Sequence, residues 1–238
     1  MKAGGRRLVC VSGLGGETDE WMNVGPALAQ HGDVIAVEMT LAAQNAIQFG
    51  GGPLQIAVQA LDRLLASEPD RPVLLGHSMG ALASILVAAS RSDRLAGLVL
   101  TAPFVPAARD GRSTLVTAAD YGRHRVLFLT GVRRRRRVRR GSPAVSRRLR
   151  VAGLGALARY GLRPGAFHAV ADRVACPVLL VHGGDDHYVP PAFVLAAAAR
   201  HPTWQLALLA GAGHFPHLDH PAAWLARVDP WLQGLQPR

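Results

Sequence analysis

Gly76-His77-Ser78-Met79-Gly80 follows the apolar run Pro72-Val73-Leu74-Leu75 and leads directly into Ala81-Leu82-Ala83-Ser84-Ile85-Leu86-Val87. A serine in a G-x-S-x-G turn between a buried strand and an apolar helix fits a nucleophile elbow, in which a strained turn projects the hydroxyl upward. Glycines at the flanks leave room for two backbones to cross closely. The helix that follows aims its first N–H groups at the place where a negative oxygen would form. A serine hydroxyl is a weak nucleophile at neutral pH and needs a neighbouring base to take its proton. Histidine, with an ordinary pKa of about 6.5, can accept that proton and return it. A buried carboxylate then fixes the imidazole tautomer and stabilises the imidazolium. The chemistry open to such a set is acyl transfer through a covalent serine ester.

Both partners occur downstream, each after an apolar run. Val178-Leu179-Leu180-Val181-His182-Gly183 leads into the acidic turn Gly184-Asp185-Asp186-His187-Tyr188-Val189-Pro190. Trp204-Gln205-Leu206-Ala207-Leu208-Leu209-Ala210 leads into Gly211-Ala212-Gly213-His214-Phe215-Pro216-His217. Serine, then acid, then histidine, each at a strand end, is the chain order of one known arrangement of this triad.

With these three segments the chain resembles the α/β-hydrolase superfamily over nearly its whole length. The acidic turn is similar to the family's G-x-x-D-x-x-V-P, with Gly183, Asp186, Val189 and Pro190 in register, so the resemblance implies Asp186 rather than Asp185 as the acid. The family's G-x-G-H-F falls on Gly211, Gly213, His214 and Phe215 and implies His214 as the base. The backbone N–H of Met79, beside the nucleophile, is then one oxyanion donor. The other comes from the loop Ser12-Gly13-Leu14-Gly15-Gly16, where the family's H-G-x pattern implies Leu14. Ser12 stands where the family commonly has histidine. His77 and Met79 flank the nucleophile, and His77, Trp21, Phe128 and Tyr160 are candidate substrate contacts.

The elements that must position these groups alternate between short apolar runs and longer helical patterns, which argues for βαβ units. Strands are expected near residues 7–12, 33–38, 72–76, 96–101, 177–182 and 204–210, and helices near 18–30, 53–67, 79–91, 192–200 and 221–233. Leu54, Ala57, Val58, Leu61, Leu64 and Leu65 recur at helical spacing and should face the sheet. Six residues precede the first strand, leaving no room for an antiparallel opening hairpin. The expected fold is therefore α/β: a three-layer α/β/α sandwich on a six-stranded, mostly or wholly parallel sheet. The core is expected over residues 1–106 and 173–238. Residues 107–172, which break the alternation, are expected to insert as a small cap. In that cap, Ala152 to Tyr160 reads as a helix. Phe128, Tyr160 and Phe167 either line an apolar pocket or pack the cap onto the core.

At 238 residues and 49% hydrophobic content the chain can bury one sizeable core. No apolar run approaches the roughly 18 residues of a spanning helix, and Leu8-Val9-Cys10-Val11 is too short for a signal-peptide core. Cys10 and Cys176 read as packed, reduced thiols, which points to a cytoplasmic protein. Of the formal net charge of +11, ten units come from the arginines of residues 133–150, a stretch without an acid, so the remainder is nearly neutral. Such a run is either a solvated like-charge segment or a dock for an anion: an acidic carrier protein, a phosphopantetheine group or a coenzyme A thioester. The run lacks interleaved aromatics and a binding module, which argues against nucleic acid. His214, His217 and His220 are spaced by three, but Pro216 and Pro221 break the helix that would align them, so no metal or other cofactor is expected. His182 and His187 read as strand-end and turn residues around the pocket.

The resulting expectation is a serine hydrolase of a carboxylic ester or thioester. Acyl transfer or cyclisation by the same acyl-enzyme, and a cofactor-free lyase on the same scaffold, are the alternatives. A non-catalytic binder has no need of all three triad groups.

Overall fold

A computed structural model describes residues 6–14, 18–37, 52–105 and 164–235. Its sheet has six strands: β1 (Arg7–Val11), β2 (Asp33–Val37), β3 (Val73–His77), β4 (Gly97–Thr101), β5 (Val178–Gly183) and β6 (Gln205–Leu209). They lie in the order β2-β1-β3-β4-β5-β6, and every neighbouring pair is parallel. The central strands β3, β4 and β5 are buried along their whole length, as a parallel sheet covered on both faces requires. The edge strands β2 and β6 carry exposed and half-buried residues instead.

Successive strand residues point to opposite faces, and the packing divides accordingly. Val9, Val11, Leu74, Leu98, Leu100, Val178 and Leu180 share one cluster with α2 (Pro53–Ser67), α3 (Met79–Arg91), α4 (Pro164–Ala171) and α5 (Pro191–Arg200). Leu8, Cys10, Val73, Leu75, Val99, Leu179 and Val181 pack on the other face against α1 (Gly25–Leu28) and α7 (Pro221–Gly234). The result is the expected three-layer sandwich. On α2, Ala57, Leu61 and Leu65 are buried, and Leu54, Val58 and Leu64 pack partly buried beside them. Strand order reverses between β1 and β3, and in open α/β sheets the crevice beyond such a switch point is where ligands bind.

The single helix expected over 18–30 is replaced by two pieces, a 3-10 turn at Thr18–Trp21 and the one-turn α1. Pro26 is the reason: it has no N–H to give, and its ring would clash with the carbonyl of Met22 in a continuous helix. Among the described residues, two α-helices were not expected. One is α4, which packs on α3 and buries Phe167 in the core, so for Phe167 the packing alternative holds. The other is α6 (Pro216–Asp219), a single turn that ends at His220 before Pro221 opens α7. Phe128, Tyr160, the expected helix at 152–160 and the arginine-rich 133–150 lie outside the described residues.

Both cysteines are buried free thiols. Burial pushes the Cys10 thiol up to about 12 and that of Cys176 to about 11, so neither ionises readily. No described helix is long and apolar enough to cross a membrane.

Candidate active site

Ser78 sits between β3 and α3 with φ 50° and ψ −113°, a backbone conformation that non-glycine residues rarely adopt. Strain of this kind costs on the order of 1–3 kcal/mol and persists only where the surroundings impose it. Here they do. The Ser78 N–H donates to the carbonyl of Thr101 at 3.0 Å, and the Leu82 N–H donates to the Ser78 carbonyl at 3.2 Å. A Cβ on Gly76 would stand 2.5 Å from the Ala81 Cα, and one on Gly80 would stand 2.3 Å from the Val11 carbonyl oxygen. The pentapeptide's glycines are thus required by close backbone crossings.

The acid and the histidine arrive from β5 and β6. Asp186 is buried, and its Oδ1 accepts the backbone N–H groups of Tyr188 at 2.7 Å and Val189 at 3.0 Å. Its Oδ2 lies 2.7 Å from Nδ1 of His214. Nε2 of His214 lies 3.1 Å from Oγ of Ser78. With the Nδ1 proton given to the carboxylate, Nε2 is left to accept the serine proton. Burial by itself raises the Asp186 carboxyl, but the facing His214, its hydrogen bond, His182 and the Val189 N–H hold it below the usual carboxylate range. Asp185 is exposed and gives only its backbone N–H to the Ala212 carbonyl. The two loops meet because Gly183 has no side chain: a Cβ there would stand 2.2 Å from the Gly213 carbonyl oxygen.

The loop after β1 closes the third side. A Cβ on Gly13 would lie 3.4 Å from that of Ser78 and 2.8 Å from Nδ1 of His77, so Gly13 and the half-buried Leu14 run beside the serine. Met79 opens α3, whose first N–H groups have no acceptor within the helix. Ser78, His214 and Asp186 thus lie in series within hydrogen-bond reach, with Met79 next to the serine and Leu14 next to Gly13 in the chain.

His77 and Trp21 are not at an open face. His77 is 1% and Trp21 3% exposed, with the Trp21 ring against His217 at a 4.6 Å centroid distance. Beneath the serine His77 meets Glu20 and His217, a trio whose polar atoms lie within 4.8 Å of one another. Ligands about 2.0–2.1 Å from a tetrahedral zinc stand roughly 3.3 Å apart. The 2.5 Å between Glu20 Oε1 and His77 Nδ1 suits an ion pair instead. Glu20 carried no sequence signal, since it reads as a solvated charge on the expected helix. His182 stands near the end of β5, as expected from the sequence: its Nε2 donates to the Val189 carbonyl at 3.0 Å and lies 3.5 Å from Oδ2 of Asp186, which braces the acidic turn.

A sequence profile described as the alpha/beta hydrolase family matches residues 8–228. The chain belongs to that family. A pimeloyl-(acyl-carrier protein) methyl ester esterase of Aromatoleum aromaticum is 30% identical, with 88% of this chain and 86% of that protein covered. A protein of the same name from Neisseria meningitidis serogroup A is 27% identical over 75% of this chain, which spans only 62% of that relative's length. Among solved structures, a hydrolase from Oleispira antarctica superposes with a TM-score of 0.67 at 15% identity, covering 98% of this chain and 92% of that one. This likeness adds the fold alone. Family and relatives together make the chain an esterase-like hydrolase.

Proposed function

We propose that this protein hydrolyses a carboxylic ester through an acyl-enzyme on Ser78. His214 takes the Ser78 proton as Oγ attacks the ester carbonyl, and the backbone N–H groups of Leu14 and Met79 hold the resulting oxyanion. His214 then returns the proton to the departing alcohol. Water then attacks the acyl carbonyl as His214 takes its proton, the bond from Ser78 Oγ to the acyl carbon breaks, and His214 returns the proton to Oγ as the acid leaves. Asp186 remains a carboxylate throughout and stabilises the imidazolium. The observation that carries this reading is the unbroken chain from Ser78 Oγ through His214 to Asp186, with links of 3.1 and 2.7 Å. The names of the two esterase relatives support a methyl ester on an acyl chain borne by a carrier protein. Arginines 133–150 are the natural dock for an acidic carrier.

The test combines a panel of p-nitrophenyl esters and thioesters with a carrier-borne methyl ester, followed by mass spectrometry of trapped enzyme. The expected result is an acyl adduct on Ser78. Ser78→Ala should keep the fold, lose labelling by a serine-directed phosphonate and lose turnover by at least roughly 10³-fold. Undiminished turnover in that variant would end the covalent mechanism.

A further inference from the structure

Directly below the serine lies a charged pair that the proposed reaction does not use. Glu20 is 6% and His77 1% exposed, and Glu20 Oε1 stands 2.5 Å from His77 Nδ1. Charge attraction and the short contact between carboxylate and ring nitrogen hold the two. Each partner also grips a different loop. Both carboxylate oxygens of Glu20 lie 3.3 Å from the N–H of Gly13, the residue before Leu14. The opposite nitrogen of His77, Nε2, donates to the backbone carbonyl of His214 at 2.8 Å. The His77 ring also packs against those of His214, Phe215 and His217 at centroid distances of 4.8–4.9 Å.

The protonation states agree with the geometry. Nε2 of His77 must carry a proton to donate to a carbonyl, and Nδ1 faces a carboxylate. Burial opposes charge on His77, but Glu20 outweighs it and raises the imidazole above its ordinary value. Burial likewise opposes charge on Glu20, and His77 and His217 overcome it, holding the carboxyl far below its usual range. The third member, His217, lies 3.4 Å from the same oxygen and is pushed down to about 4, mainly by burial, so it is neutral. One cation and one anion are therefore sealed between the loop after β1 and the loop after β6.

We infer that Glu20 and His77 are positioning residues that clamp the Gly13–Leu14 loop and the His214 backbone in the spacing the reaction needs. The inference rests on the reading of Ser78, His214 and Leu14 given above. Removing one member strands the other as a buried charge. Removing both leaves no orphan charge but frees the two loops. What the clamp sets is the distance between serine, base and oxyanion donors, so its loss acts on the transition state rather than on ground-state binding.

A double-mutant cycle on the full-length protein tests this, with Glu20→Gln, His77→Gln and the double variant, read by ester kinetics and by affinity for an alkylboronic acid that binds serine as a tetrahedral adduct. Each single variant should lose 10- to 100-fold in kcat with KM changed less than twofold, and boronate affinity should fall in parallel with kcat/KM. The double variant should be no worse than the poorer single, since the clamp acts as a unit. Glu20→Asp, which keeps the charge, should recover part of the loss. If a single variant does not fold, the double variant, free of an orphan charge, supplies the kcat and boronate readings. Phosphonate labelling of the parent at Ser78 checks the underlying reading separately. With the parent labelled, unchanged kcat and boronate affinity in a folded variant, a loss confined to KM, or fold-losses that multiply in the double variant would each overturn the clamp. So would stoichiometric zinc in the purified protein that Glu20→Gln removes.

Discussion

Asp185 and Asp186 share a turn and a side-chain chemistry, yet only one carboxylate faces His214. Asp186 is buried, with Oδ1 saturated by the backbone N–H groups of residues 188 and 189 and Oδ2 on the imidazole. Asp185 points to solvent. An amide at 186 keeps the shape but can favour the tautomer with its proton on Nε2, where it cannot accept from Ser78. Asp186→Asn should therefore cut ester turnover by roughly 10²–10⁴-fold. Asp185→Asn should remain within about threefold of the parent. Steady-state kinetics on one activated ester decides between them, and the reverse ranking would move the role to Asp185.

At the scale of elements, the site depends on how closely β5 and the loop after β6 approach. A Cβ at Gly183 would sit 2.2 Å from the Gly213 oxygen and 2.3 Å from that of Ala212, both backbone atoms in the loop that carries His214. Backbone cannot swing aside as a side-chain tip can. Gly183→Ala should cost about 3 kcal/mol or more and lower turnover at the same time. Gly234, at the end of α7, has nothing within 4 Å of such a Cβ. Gly234→Ala should leave stability unchanged or raise it by up to about 1 kcal/mol. Urea unfolding of the two variants measures the contrast. The pair separates steric closure of the site from a general intolerance of alanine.

For the whole molecule, buried histidines set the acid side of stability. His217 is pushed down to about 4, so the folded state refuses a proton that the unfolded chain accepts near pH 6.5. Stability therefore falls as pH drops from about 6.5 to 4, by up to about 3 kcal/mol for this residue. His182, His168 and His201, lowered first of all by burial, act in the same direction. His77 is raised and works oppositely: its contribution is fully present below pH 6.5 and is lost as pH rises through its folded value. Asp186 and Glu20 are depressed, so their contributions hold above the ordinary carboxylate range and disappear as pH falls below it. Between pH 6.5 and 4, His217→Gln should flatten the decline in urea midpoint. A slope equal to that of the parent would mean that His217 is not the group responsible.

Much of this was legible in the chain itself. Short apolar runs located the six strands to within a residue or so, most plainly the central β3, β4 and β5, because a strand covered on both faces must be continuously apolar. The elbow's glycines and serine were local signals, and the resemblance to the family's motifs implied Asp186 and His214 as the groups that meet Ser78. An elbow and an acidic turn are local structures whose requirements lie within a few positions. Pro26, which divides the first helical segment, is also a local signal, and the apolar periodicity around it hid the break. Glu20 and its pairing with His77 belong to the other class. Nothing near Glu20 in sequence says that an acid in a 3-10 turn will be sealed beneath the serine. It is buried there because parallel pairing sets β1 beside β3 and folds the segment after β1 under the elbow. Local spacing can specify which groups are able to react. Which distant charges are shut in with them is settled only when the sheet closes.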